Sequence, residues 1–260
     1  SRGRQLVEET ISEIQVEHAE LVTTSIHMPT SDAKDDVTIT TRFARFRRQA
    51  TPTKTTKVDE SATHKHAIHG MALVISLLLR DLPNLPGGLP ADLLDKSVSV
   101  AEILVNTLFN ATMTSSNPGG VCTCTRGGFA IICGAFATGI SGITKHVSLL
   151  FALWQKVAKE GQRGGNFTDA HELVCVEAML ESVVAFLRYC SELLLSVPDA
   201  LSRTSLLLED VLPLLLPDGR LGKTEAIPAA IGHLDGAKAA TLESFAWLPP
   251  GSYPMVADSV

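Results

Sequence analysis

DAHELVCVEAMLESVVAFLRYCSELLLSV, residues 169–197, is the stretch that decides the fold. Leu173, Val176, Leu180, Val183, Leu187, Cys190 and Leu194 advance by three or four residues, which lays them along one stripe of an α-helix. Glu177, Glu181, Arg188 and Glu192 fall on the opposite side and predict a solvent face. Asp169 and Glu172 suit the electropositive start of a helix, and Pro198 marks its end.

The same pattern repeats in both directions. Toward the C-terminus come LSRTSLLLEDVLPLLL (201–216) and AAIGHLDGAKAATLESFAWL (229–248), closed by Pro249 and Pro250. Toward the N-terminus lie KHVSLLFALWQKVAKE (145–160), TRGGFAIICGAFATGI (125–140), KSVSVAEILVNTLFNA (96–111) and AIHGMALVISLLLRDL (67–82). Pro83 with NLPGGLP, then SSNPGG, then Ser141-Gly142, then GQRGGN read as the loops between them. In the second helix Val100, Ile103, Leu104, Thr107 and Leu108 form a stripe. Ser99 and Glu102 have the spacing of a capping box. The glycines and alanines of 125–140 predict close approach of a neighbouring helix, at a cost of about 1 kcal/mol of helix propensity for each internal glycine.

No strand alternation of comparable length comes after residue 66. The expectation is therefore an all-α fold, either a closed bundle or stacked helical hairpins. Residues 67–110, 125–160 and 168–214 have a spacing compatible with successive pairs of about 40 residues.

The first 66 residues differ. Residues 1–22 carry an amphipathic helix, with Leu6, Ile11, Ile14, Val16 and Leu21 set among Glu8, Glu9, Glu13, Glu17 and Glu20. Residues 23–66 are rich in Thr, Ser, Asp, Lys and Arg, too poor in apolar surface to offset ordering entropy, and are expected to be a flexible polar linker. Its basic stretch RFARFRRQATPTK is read as a solvated segment whose bases offset nearby acids. Residues 255–260 are a tail.

Composition narrows the function. The chain has 260 residues, 45% hydrophobic, 19% charged and 5% aromatic, with a net charge of −6. An acidic chain offers no general basic surface for nucleic acid. Five cysteines without a regular framework suggest a reducing compartment. The N-terminus has no signal-peptide pattern and no initiator Met, so a piece of a longer chain is expected. The uncharged run 127–144 contains five glycines and three hydroxyl residues and is read as a buried helix, not a membrane span.

Each candidate for chemistry has a simpler reading. LLLPDGRLGKTE (214–225) ends like a phosphate-binding loop, but G-x-x-x-x-G-K-[ST] needs glycine where Pro217 stands, and a strand where a helix is predicted. A polar turn is expected instead, with Thr224 capping the next helix. His64, His66 and His69 lack a fourth metal ligand, and Cys122 and Cys124 are too close together for a zinc knuckle. Gly139-Ile140-Ser141-Gly142 lacks the final glycine of a nucleophile elbow. Glu209 and Asp210 diverge by about 100° on a helix and cannot converge on one atom. Asn110 and Asn166 match glycosylation sequons without an accompanying secretory signal. No catalytic, metal or cofactor-binding residues are therefore assigned, no cofactor is expected, and a non-enzymatic role is.

Read as whole strings, HGMALVISLLL, KSVSVAEILVNTL, TRGGFAIICGAFATGISGITKHVSLLFALWQKV, FTDAHELVCVEAMLESVVAFLRYCSELL and HLDGAKAATLESFAWLPPGSY resemble the large HEAT-repeat proteins that accompany the type-1 clathrin adaptor. The likeness covers roughly residues 66–254 and lies in the order of segments. The part before residue 66 and the stretch SSNPGGVCTC have no counterpart in it. The resemblance implies an α-solenoid of HEAT-like antiparallel hairpins over 67–254. It also implies a scaffold that binds clathrin-adaptor and accessory proteins in endosome–trans-Golgi traffic, cytoplasmic and peripheral to membranes through its partners. The alternative is a generic HEAT or armadillo interaction module serving nuclear transport or complex assembly. The resemblance supplies no binding signature, so the first place to look for a partner surface is the solvent side of the longest helix, at Glu177, Glu181 and Arg188.

Overall fold

The computed structural model describes residues 2–26, 60–84, 88–163 and 168–250. It is all-α; among these residues there is no strand. Its helices are α1 (Arg2–Ile26), α2 (Glu60–Asp81), α3 (Ala91–Asn106), α4 (Ala111–Ser116), α5 (Pro118–Phe136), α6 (Ile140–Ile143), α7 (Val147–Arg163), α8 (Asp169–Cys190), α9 (Leu193–Ser196), α10 (Ala200–Leu215) and α11 (Pro228–Trp247). Short 3-10 turns at Leu82–Asn84, Thr107–Phe109, Thr144–His146 and Gly222–Ala226 join some of them.

Every residue of the stripe read from 169–197 is buried. The helix is enclosed more widely than that stripe, because Cys175, Met179, Ser182 and Phe186 are buried as well. Thr168 caps α8, its hydroxyl oxygen accepting from the His171 N–H. Pro213 is accommodated inside α10.

Several boundaries and faces depart from the sequence reading. α1 runs past residue 22 to Ile26, and α2 starts at Glu60, so both ends of the expected linker are helical. The basic stretch 42–54 lies outside the described residues. Val7, Ile11, Ile14 and Leu21 of α1 are buried, while Leu6 and Val16 are exposed. α3 begins at Ala91, after Pro90, so Ser97 and Ser99 stand inside it and no capping box forms; the Ser97 hydroxyl donates to the Leu93 carbonyl. Ile103, expected on the buried stripe, is exposed. The stretch read as the loop SSNPGG, with the cysteines after it, is mostly helix. Asn117 caps α5 by accepting from the Gly120 N–H, and Pro118 occupies the first turn, where a missing N–H costs nothing.

The packing order is simple. α2, α5, α8 and α11 form one row, each packed on the next. A second row packs against it: α1 on α2, α3 on α5, α7 on α8 and α10 on α11. α3 thus packs chiefly on α5, and α7 on both α10 and α8, which differs from the pairs suggested by sequence spacing. Polar contacts tie the second row along its length, with Arg4 of α1 bound to Asp92 of α3 at 2.8 Å and Lys156 of α7 donating to Asn106 at 2.9 Å.

Glycines set the spacing around α5. A Cβ on Gly134 would lie 2.5 Å from the Ser76 carbonyl oxygen of α2, and one on Gly128 would lie 2.8 Å from the Ala101 carbonyl oxygen of α3. Both neighbours therefore rest directly on the α5 backbone, as the small-residue composition predicts. α5 is the described helix long and apolar enough to cross a membrane, and most of that stretch is buried against its neighbours. Beyond it, Gly139 turns the chain at φ +95°, a conformation open to glycine at little cost.

Phe136, Phe151, Trp154 and Phe186 meet where α5, α7 and α8 converge, with ring centroids 5.1–6.0 Å apart. The edge-on and tilted geometries are those aromatic pairs favour. The Trp154 indole N–H donates to the Ser182 hydroxyl at 2.8 Å, and that hydroxyl donates to the Met179 carbonyl at 2.6 Å. The one polar atom of a fully buried indole is thereby satisfied.

Candidate partner-binding face

The Gly-Lys-Thr fragment has a structural role in this fold. It comes after α10, not after a strand, so the strand–loop–helix setting of a phosphate loop is absent. A Cβ on Gly222 would overlap the Leu216 carbonyl, and one on Gly219 the carbonyls of Pro213 and Leu214, so the turn folds back on the end of α10. Leu221 is buried beneath it. Arg220 reaches away from the turn to form ion pairs with Asp169 and Glu172 of α8 and to donate to the Gly161 carbonyl of α7. Thr224 does not cap α11; its hydroxyl donates to the Leu221 carbonyl at 2.6 Å, and Ile227 occupies the cap position. The segment is a strap joining the ends of three helices.

The histidine run divides between two environments. His64 turns toward α1, where its Nδ1–H donates to the Glu17 carboxylate at 2.6 Å, with Glu20 at 3.6 Å. The ligand atoms of Glu17, Glu20 and His64 lie within 4.8 Å of one another. A divalent cation could be held there only by displacing the proton that already clasps α1 to α2. His66 and His69 line a different recess. Cys122 and Cys124 are buried in α5, and the Cys122 thiol donates to the His171 carbonyl at 3.5 Å. All five cysteines are free. Burial pushes the thiols of Cys124, Cys133 and Cys190 up to about 12. Ser141 is exposed at α6, and Asp210 is exposed on α10 with Glu209 half-buried beside it. Asn110 caps α4 by accepting from the N–H groups of Thr112 and Met113; Asn166 lies outside the described residues.

The open side of the first helical row carries a different constellation. A cleft of about 400 Å³ crosses it, lined by Lys65, His66 and His69 of α2, Thr123 and Arg126 of α5, Val174 of α8 and His233 of α11. One recess thus draws on all four helices of the row. Two residues from the face predicted on α8 border it. Glu177 is drawn in rather than left in solvent: its carboxylate accepts from His233 Nδ1–H at 2.6 Å, and its side chain occupies the space opposite Gly236. Glu181 is exposed as a residue, yet partial burial of its carboxyl raises its pKa, helped by the charge of Glu177 and opposed by Arg126 and His233. Arg188, farther along, pairs with Glu243 of α11 at 2.5 Å.

The charged side chains that line the cleft, Lys65 and Arg126, are cations. His69 is held below the ordinary histidine value first by burial, then by the charges of Arg126 and His66. His171, near Lys65, is lowered by burial and by that lysine. A second recess of about 590 Å³ lies between α1 and α3, but its charged residues Glu8, Asp95 and Lys96 already engage one another or their neighbours. Sequence periodicity placed Glu181 and Arg188 on the exposed side of α8, where they lie. It missed the cleft, for which the His66–His69 spacing and the lone Arg126 were the only local signs. Compared with known protein families, curated proteins and solved structures, the chain matches none.

Proposed function

We propose that this chain is a non-enzymatic scaffold segment, an α-solenoid of HEAT-like hairpins whose first helical row holds other proteins. The observation carrying this reading is the cleft that draws on α2, α5, α8 and α11 together. A row of helices with one shared open face is the architecture by which helical repeats bind extended segments. The clathrin adaptor and its accessory subunits are the proposed partners, at endosomes and the trans-Golgi network, on the strength of the segment-by-segment resemblance over residues 66–254. The chain would act there from the cytoplasmic side, held at membranes through its partners.

The test is co-purification of adaptor and accessory subunits with the full-length protein, using purified subunits for the return experiment. Direct, saturable binding is expected. Failure of every subunit to bind removes the trafficking assignment.

A further inference from the structure

The cations around the cleft point to the chemistry of what enters it. Lys65, His66 and His69 of α2 share the lining with Arg126 of α5 and His233 of α11. Among the described residues no Asp or Glu belongs to its lining, and Glu177 and Glu181 lie at its border. Arg4, Lys96, Lys145, Arg188 and Arg220 each hold a carboxylate. Among the described residues neither Lys65 nor Arg126 has an ion pair. Glu177, the acid nearest His233, is already engaged by it, and Glu181 acts on Arg126 only at a distance. Burial is the main cause that lowers His69 and nearby His171, with Arg126 and Lys65 respectively adding to it.

Resting on the scaffold reading above, we infer that this cleft receives an acidic side chain, a carboxylate or a phosphate ester, from an extended peptide segment of a partner protein. The anion sits between the Lys65 ammonium and the Arg126 guanidinium, which supply charge-assisted donors. Thr123 and the two α2 histidines flank it, and Val174 with Ala62 gives the neighbouring residue of the peptide an apolar wall. A volume of about 400 Å³ suits one or two side chains. The chain as a whole carries a net charge of −6, and Glu177 and Glu181 border the recess. A broad anionic surface such as a membrane would meet those acids, whereas a single projecting anion avoids them.

The experiment measures fluorescence anisotropy of labelled peptides on the full chain. The peptides are a glutamate-rich peptide, the same peptide with phosphoserine at its centre, and its glutamine counterpart. Phosphatidylserine vesicles form a separate arm. Saturable binding of the glutamate or phosphoserine peptide, weakened by salt and absent for the glutamine peptide, is expected. The preferred member of the pair shows which anion the site takes. Loss of one charged hydrogen bond costs about tenfold or more in affinity, so Lys65→Gln/Arg126→Gln should bind at least that much more weakly. Arg126 is exposed and Lys65 half-buried, and an unchanged circular dichroism melt confirms the fold. Equal binding of glutamate and glutamine peptides, unchanged binding by the double variant, or binding of vesicles without peptides overturns the inference. If the double variant still captures purified adaptor subunits as well as the parent, the cleft is idle and the scaffold stands. If neither captures them, the trafficking scaffold itself fails, whatever the peptides do.

Discussion

Replacing Arg220 with Met tests whether the strap after α10 is structural. Glu172 has a side chain only 3% exposed and faces Arg220, whose own side chain is 26% exposed. Removing one partner of a buried ion pair costs about 3–5 kcal/mol, because the remaining charge is stranded away from water. Arg220 is partly solvated and its second partner, Asp169, is 45% exposed, which places the loss near the lower end, at about 3 kcal/mol. For a chain of this size that corresponds to a fall in melting temperature of about 6–12 °C. Thermal melts followed by circular dichroism read the shift directly. Arg220→Met/Glu172→Met should recover most of the loss, since neither buried charge remains to be compensated. A single variant within about 0.5 kcal/mol of the parent, or a double variant no better than the single, would refute the argument.

Two glycines of the first row should respond with opposite signs. Gly134→Ala drives a Cβ into the α2 backbone and should cost about 1–3 kcal/mol, while Gly70→Ala, with nothing within 4 Å of the new atom, should gain about 1 kcal/mol of helix propensity. Urea midpoints distinguish them; equal shifts would mean that α2 and α5 are not in close contact. At pH 8, a thiol reagent should label Cys124, Cys133 and Cys190 only slowly in the folded chain, because thiols pushed up to about 12 hold little thiolate, and rapidly in denaturant. Fast native labelling of Cys124 and Cys190, which are buried, would contradict this. The folded chain depresses the pKa values of His18, His69 and His171, so below 6.5 the unfolded chain takes up protons that the folded one refuses. Stability therefore falls as pH drops through that value, and the lowered carboxyls of Glu8 and Asp95 add to the loss in the carboxylate range. A melting temperature that is flat or rises from pH 7 to 5 would run against this sign.

The helices were legible wherever aliphatic residues kept a regular period. α8 is the clearest case, with α7 and α10 next. The start of α5 was not legible, because Gly119, Gly120 and the residues after them have poor helix propensity; their helix rests on the Asn117 cap and on tertiary contact with α2 and α3. The partner of each helix was hidden as well. Spacing along the chain groups α2 with α3, whereas α3 packs chiefly on α5. The candidate site was less legible still. Glu181 could be placed from helical phase, but Lys65, Arg126 and His233 are far apart along the chain and become neighbours only through the row. The His64–Glu17 clasp spans 47 residues and left no local sign.

The chain's two tryptophans occupy contrasting places. Trp154 is fully enclosed among three phenylalanine rings at the centre, while Trp247 lies 43% exposed at the last turn of α11, its indole N–H 3.4 Å from Glu243. Fluorescence therefore splits by position. Blue-shifted emission, shielded from acrylamide, reports the centre, and red-shifted, quenchable emission reports the edge next to the Arg188–Glu243 pair. A partner settling over α11 would quiet the second signal and leave the first untouched, so occupancy and unfolding can be read separately from the same unlabelled sample.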